Sequence, residues 1–337
     1  MVLCLKGVTA FAFDQKFSSA KRLYLERLFT NVTEETLLSD EIGKLNISGV
    51  VCGMEGPLTF NIYSSNIANW RDTTRINHLS ERLNFFSKAD LIADKATLLK
   101  VLAMENIWSG DLLTAQQRLS EAAFLYQEAG NLHQVSVVAR QLSYINYILG
   151  DVNAAIKNSD MALEALKELR DYKTQVKMLL WQSDLFIHDG RFRQAENQLL
   201  KKVLVQSYRS KNKLNEWTCY YQLGKLYLNE RKYVQSKWFF VQALSLIEHT
   251  RHRAEHIRSL LMLAKVKIKV NDYSLALINL KQAEKLSRSY PAFHIDVARE
   301  MNFLFTKLNN KLMAREFGRN FEKEKQKYLL SPPKNRV

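Results

Sequence analysis

The sequence predicts an all-α fold built from repeated pairs of helices, and three observations support this. The chain of 337 residues contains only 4 Pro and 11 Gly, which is few for a protein rich in sheets and turns. Ala, Leu, Lys, Gln and Glu, which favour helices, are plentiful in its middle part. Residues typical of helix ends also recur there at a nearly constant interval, which indicates an internal repeat.

The recurring turns are the first element of the repeat. They carry Gly110, Gly150, Gly190, Arg231 and Asn271, spaced 40, 40, 41 and 40 residues apart. Gly and Asn tolerate the left-handed backbone conformation that ends a helix, so four of the five turns have the expected chemistry and Arg231 is the exception. Each turn therefore predicts a helix, a tight connection and a second helix.

Small side chains recur at fixed distances from these turns. Seven residues before each turn residue lie Ala103, Ser143, Ser183, Gly224 and Ala264. Five residues after it lie Ala115, Ala155, Ala195, Ser236 and Ala276, and seven further on lie Ala122, Ala162, Lys202, Ala243 and Ala283. Antiparallel helices approach closely only where the facing side chains are small. Lys202 and Arg231 depart from this pattern and make the third and fourth repeats the least regular.

The strings YYQLGKLYLNERKYVQSKWFFVQAL and LLMLAKVKIKVNDYSLALINLKQAEKL carry a family resemblance. Over residues 96–290 the chain resembles the tetratricopeptide repeat (TPR) family, in a class whose repeats have about 40 residues rather than 34. Kinesin light chain, the bacterial maltose regulator and the fifth subunit of the anaphase-promoting complex belong to that class. The resemblance implies a right-handed superhelical solenoid of five repeats that binds other proteins.

Weaker units flank the predicted array. Residues 1–30 resemble a partial or degenerate helical pair, and the chain is expected to begin inside a solenoid. Residues 31–95 contain Gly43, Gly49, Gly53 and Gly56-Pro57, which predict an irregular segment of helix and loop. A degenerate repeat and a separate docking element both remain open for it. Residues 291–330 predict a capping pair with helices at 293–308 and 311–328, and residues 331–337 a disordered tail.

Charge distribution and cysteine content indicate the kind of partner and the cellular compartment to expect. Residues 191–337 hold 30 Lys or Arg against 12 Asp or Glu, whereas residues 1–190 hold 19 against 22. This polarity predicts that the C-terminal half attracts acidic partners. The three cysteines are scattered along the sequence, and neither a cleavable leader nor an apolar run of membrane-spanning length is expected. These features favour an intracellular protein, cytoplasmic or nuclear.

One string has the residues of a catalytic motif. His252-Arg253-Ala254-Glu255-His256 fits the H-x-x-E-H pattern of zinc peptidases, and His249 adds a third imidazole. Arg251, Arg253 and Arg258 would repel a divalent cation, so we interpret the string as a loop or helix start between repeats. No nucleotide-binding or nucleophile-elbow motif is present in the sequence. We expect no enzyme activity, no cofactor, no metal and no small-molecule substrate.

Partner binding is expected on the first helix of each pair, which lines the concave face in such repeats. Its predicted contact residues are Lys100, Arg140, Tyr144, Tyr147, Lys177, Tyr221, Lys225, Arg258, Lys265 and Lys269. Tyr and Arg dominate binding hot spots. The favoured function is an adaptor or scaffold subunit that binds acidic peptides or helices. A peptide-sensing regulator and a nucleic-acid-associated protein are the alternatives, and a solvated scaffold surface is the simplest account of the same residues.

Overall fold

The computed structural model describes residues 92–109, 111–248 and 250–330. All regular structure in these residues is helical. The chain divides between Met178 and Leu179 into two compact units. This boundary falls inside the predicted array of repeats. The predictions for residues 1–30, for residues 31–91 and for the tail at 331–337 lie outside the described residues.

From residue 92 onward, the first unit contains two complete helical hairpins. Its helices are α1 (Ile92–Ser109), α2 (Leu112–Glu128), α3 (Leu132–Leu149) and α4 (Val152–Glu168), followed by the start of α5 (Tyr172–His188). Helix α1 packs against α2, α3 packs against α4, and α2 also packs against α3. The two hairpins therefore stack in chain order.

The second unit begins within α5, and its described residues include the second helix of four hairpins. The elements are α6 (Phe192–Gln198), a π-helical turn (Leu199–Val203), α7 (Leu204–Arg209), α8 (Lys213–Asn229), α9 (Tyr233–Ile247), α10 (Arg253–Lys269), α11 (Tyr273–Ser287), α12 (Pro291–Lys307) and α13 (Lys311–Leu330). Hairpins α8–α9, α10–α11 and α12–α13 stack in order. The last pair lies within two residues of its predicted bounds. None of the described helices has the length and apolar character needed to cross a membrane.

The turns inside the hairpins have the predicted left-handed backbone. Gly150 and Gly190 have φ values of 90° and 77°, and Asn271 has a φ of 63°. Arg231 takes the same conformation, with a φ of 60°, although its side chain makes that conformation costly. Arg231 therefore differs from the other turn residues in residue type but has the same backbone geometry. Gly110 lies outside the described residues.

Close contact between paired helices occurs where the small side chains predict it. Ala115, Ala155, Ala195 and Ala276 are fully buried. Ser143 Oγ donates a hydrogen bond of 2.7 Å to the carbonyl oxygen of Ala155 on the facing helix. These contacts confirm the helix-turn-helix pairing on which the fold prediction rests.

The π-helical turn explains why Lys202 breaks the pattern. In α9 the buried residues Ser236, Phe240, Ala243 and Ile247 lie 5, 9, 12 and 16 positions after Arg231. In the third hairpin Ala195, Leu199, Val203 and Ser207 are buried at 5, 9, 13 and 17 positions after Gly190. The turn Leu199–Val203 contains one extra residue, which exposes Lys202 and returns Val203 to the core. The interval of 41 residues has the same cause.

Candidate functional site

The ten predicted contact residues all lie on first helices, five in each unit. Lys100 lies on α1, Arg140, Tyr144 and Tyr147 on α3, and Lys177 on α5; Tyr221 and Lys225 lie on α8, and Arg258, Lys265 and Lys269 on α10.

In the first unit, Lys100 contacts the next hairpin. Its Nζ donates a hydrogen bond of 2.8 Å to Oε1 of Gln134, at the start of α3. The same ammonium lies 6.0 Å from the ring centre of Tyr126 on α2. Lys100 is therefore anchored by polar and aromatic neighbours and is half-buried.

Arg140 contributes positive charge near the start of α5. Partial burial acts to raise the pKa of the Asp171 carboxyl, but hydrogen bonds from Thr174 and the charge of Arg140 outweigh burial and lower it. Arg140 Nε itself is buried and has no hydrogen-bond partner within the described residues. This buried Nε is therefore an unsatisfied donor beneath the surface of the first unit.

Gln141, next to Arg140, is a residue that the sequence analysis missed. It is 1% exposed, and neither its amide nitrogen nor its amide oxygen has a hydrogen-bond partner in the part of the chain that the structure describes. Burying such groups without partners is unfavourable, so this carboxamide is a candidate for a hydrogen bond to an ordered water inside the first unit. The other predicted residues here differ in exposure: Tyr147 is buried, whereas Tyr144 and Lys177 are half-buried.

In the second unit, Tyr221 is fixed by aromatic neighbours. Its ring stacks on Trp217, with a centroid distance of 5.0 Å, and meets the ring of Phe240 edge-on at 5.6 Å. Trp217 Nε1 in turn donates a hydrogen bond of 3.0 Å to Ser259 Oγ on α10. A rigid, half-buried tyrosine of this kind supplies contact area at a small cost in conformational entropy.

Lys225 and Lys265 form ion pairs with the neighbouring first helices. Lys225 Nζ lies 2.5 Å from Asp184 Oδ1 on α5, and Lys265 Nζ lies 3.5 Å from Glu300 Oε1 on α12. The two lysines are among the contact residues predicted from the sequence, whereas their carboxylate partners are not. The partners lie 41 and 35 positions away, about one repeat, which is the signal that identifies them in hindsight.

Arg258 and Lys269 complete the row on α10. The guanidinium of Arg258 lies 5.3 Å from the ring centre of Phe293 on α12, within range of a cation–π interaction. Lys269, near the end of α10, is exposed. Arg258, Lys265 and Lys269 are spaced by seven and four residues, so they lie on one face of the helix.

The H-x-x-E-H string lies at the start of α10. His252 occupies the residue before the helix, and Glu255 is buried. Burial raises the pKa of Glu255, although the charge of His252 opposes this. Among the residues that the structure describes, no group of three His, Cys, Asp or Glu side chains has an arrangement that could hold a metal ion. His249 lies outside those residues.

Comparison with known proteins supports the fold. No protein-family model matches the chain, and no curated protein matches it. Its fold resembles that of the Signal Transduction ATPase with Numerous Domains protein PH0952 of Pyrococcus horikoshii, which has a tetratricopeptide repeat sensor. That match has a TM-score of 0.57 at 16% identity and covers 70% of this chain and 36% of that one.

The quorum sensor NprR of B. thuringiensis, in its apo form, is also similar. It matches with a TM-score of 0.53 at 13% identity, over 94% of this chain and 92% of NprR. NprR in complex with its cognate peptide NprX gives 0.51 at 13% identity, over 88% of this chain and 84% of that one. Together with the stacked hairpins, these neighbours show that the chain has a TPR-type all-α solenoid fold.

Proposed function

We propose that this chain is a non-catalytic scaffold or adaptor subunit of a multi-protein complex, which binds acidic peptide or helical segments on its first helices. One observation carries the proposal. In the second unit Lys225 and Lys265, both predicted contact residues, already hold the carboxylates Asp184 and Glu300 of neighbouring first helices. These intramolecular pairs support a partner that offers carboxylates to the same lysines.

The geometry of the row fits an elongated partner. The two ion pairs lie on successive first helices, and both lysines remain about one-third exposed. Tyr221 lies one helical turn before Lys225, and Lys269 one turn after Lys265. A partner that runs across these helices would meet an aromatic side chain and several cations, the combination that concentrates binding energy in hot spots. We infer that acidic side chains of the partner join or displace Asp184 and Glu300.

Loss of positive charge along α10 tests the proposal. We would purify partners with the full chain as bait, quantify them by mass spectrometry, and compare wild type with Arg258→Gln/Lys269→Glu. The matched control is Lys281→Glu/Arg288→Gln on and beside α11, which changes the net charge by the same amount at exposed positions. Loss of a specific partner from the first variant alone supports the proposal. An identical partner list from all three proteins would refute it.

Peptide sensing is a second candidate, and the fold similarity to NprR in complex with its cognate peptide NprX favours it. Arg140, half-buried on α3, would receive an acidic side chain or the terminal carboxylate of such a peptide. The test is a screen of short peptides by calorimetry against wild type and Arg140→Gln. Peptide binding that survives this substitution unchanged would rule out the role of Arg140.

A further inference from the structure

A continuous row of aromatic side chains crosses three helices of the second unit, on residues outside the row of predicted contacts. Tyr208 on α7 and Tyr220 on α8 share a hydrogen bond between their hydroxyls. Tyr220 meets Trp238 on α9 edge-on, with 6.4 Å between ring centres. Phe239 lies 4.8 Å from Trp238 and stacks on Tyr227 at 5.2 Å. We call these five residues the aromatic strip.

The strip is open to solvent at the two helices that border it. Trp238 is 53% exposed and Tyr208 is 50% exposed. On α9 the exposed residues Val234, Lys237, Trp238 and Val241 lie at spacings of three, four and seven, which places them on one helical face. Exposed aromatic and aliphatic side chains gathered in this way mark interaction surfaces more often than chance exposure does.

Helix α7, which carries Tyr208 at one border of the strip, follows an irregular helical turn. The π-helical turn Leu199–Val203 directly precedes α7, and π-helical turns occur frequently at functional sites. By adding one residue, this turn exposes Lys202 beside the exposed Lys201, ahead of the exposed Val205 and Tyr208. The insertion therefore gives this border the same combination of lysine and apolar side chains that α9 presents.

The charge around the strip is one-sided. Residues 197–215 contain five Lys or Arg and residues 231–247 contain three, and neither stretch contains Asp or Glu. Nearby carboxylates are already engaged: Glu196 accepts a hydrogen bond from Tyr227, Glu216 pairs with Lys213, and Glu230 pairs with Lys232. Lys201, Lys202 and Lys237 are exposed and have no ion-pair partner among the described residues.

We propose that the aromatic strip and its lysines form a second docking surface, which binds an acidic amphipathic segment of a partner protein. Bulky apolar side chains of the segment would pack on Trp238 and Tyr208, and its carboxylates would face Lys201, Lys202 and Lys237. Charge selects this occupant over a second copy of the chain, because pairing two such surfaces would oppose lysine with lysine. The surface is distinct from the first-helix row and does not depend on the function proposed for it.

The test uses the full chain and fluorescence anisotropy of labelled synthetic peptides. The first probe is an amphipathic peptide with Asp and Glu on one face and Leu and Phe on the other. The second replaces its apolar residues by Ser, and the third replaces its acidic residues by Gln. The fourth probe is a single-stranded RNA of the same net charge. Sedimentation of the unlabelled protein measures self-association.

We expect tight binding of the first probe alone. Trp238→Ala and Lys201→Glu/Lys202→Glu should each weaken it about tenfold or more, as expected for a hot-spot aromatic and for paired charge reversals. The control Phe124→Ala, an aromatic on α2 with 58% exposure, should leave binding unchanged. Arg258→Gln/Lys269→Glu removes any binding of the probe to the first-helix row, and Trp238→Ala should weaken the remaining binding by the same factor in that background, which separates the two surfaces. Circular dichroism verifies that each variant is folded.

Three results would overturn the inference. The first is equal binding by wild type and Trp238→Ala. The second is preferential binding of RNA that depends on Trp238, which would make the strip a stacking platform for bases. The third is self-association of the wild type that Trp238→Ala abolishes, which would make a second copy the occupant.

Discussion

The α3–α4 hairpin and the hairpin formed by α5, α6 and α7 show two ways to build the same repeat. In α4 an uninterrupted α-helix buries Ala155, Ser159 and Ala162. In the other hairpin the second helix contains one more residue and absorbs it in a π-helical turn. The comparison shows that the repeat is defined by which residues reach the core. A fixed number of residues is secondary, because local backbone geometry can compensate for an insertion.

Deleting one residue from each second helix gives the largest expected difference between the two hairpins. Removal of the exposed Lys157 from α4 rotates all later residues by about 100° around the helix axis. Ala162, Ala165 and Leu166 would then leave the core, and since a fully buried large apolar side chain contributes roughly 1.5–3 kcal/mol, the first unit should unfold. Circular dichroism and urea titration measure this loss.

Removal of Lys202 is the matched deletion in the π-helical turn. It restores the regular spacing of 5, 9, 12 and 16 residues after Gly190, so the free energy of unfolding should change by no more than about 1 kcal/mol. Equal damage by the two deletions would show that the extra residue is not stored in the turn Leu199–Val203.

The paired helices pack differently in the α8–α9 and α3–α4 hairpins, and the largest difference is at Gly224. A Cβ at position 224 would lie 2.6 Å from Cε1 of Phe240, which is fully buried. Gly224→Ala should therefore cost about 1–3 kcal/mol through overpacking.

Ser143→Ala is the matched substitution in α3. Ser143 fits beside Ala155 without a clash, and its loss removes one hydrogen bond, worth about 1 kcal/mol. The two midpoints of urea denaturation, each with an unchanged slope, measure the difference. If Gly224→Ala cost no more stability than Ser143→Ala, Phe240 would not pack closely against α8 at residue 224.

The hairpin turns provide a smaller and opposite pair of effects. Gly150 has a φ of 90°, so Gly150→Ala should destabilise the chain by roughly 1–2 kcal/mol. Arg231 already carries a side chain at a φ of 60°, so Arg231→Gly relieves strain and should gain up to about 1 kcal/mol, less the entropy that glycine adds to the unfolded chain. Thermal unfolding of both variants checks the opposite signs.

The helical hairpins could be predicted from the sequence because each small residue and each turn residue meets a steric requirement that its residue type alone reveals. It was insufficient for the π-helical turn, since no residue type encodes that hydrogen-bond pattern. The interval of 41 and the lysine at position 202 were visible, but their common cause was not. The candidate contacts Lys225 and Lys265 were predicted from helical position. Their carboxylate partners were missed because those partners are neighbours only after the hairpins have stacked.

Substitution of Lys202 has the smallest expected effect on stability, and for it the sequence pattern and the structure predict different results. The pattern places a small residue at position 202, so it predicts that Lys202→Ala improves helix packing. The structure exposes Lys202 and buries Val203, so Lys202→Ala should change stability by less than about 0.5 kcal/mol. Val203→Ala should cost about 2 kcal/mol by leaving a cavity. A gain from Lys202→Ala comparable to this loss would place residue 202 in the core and remove the π-helical turn from the account.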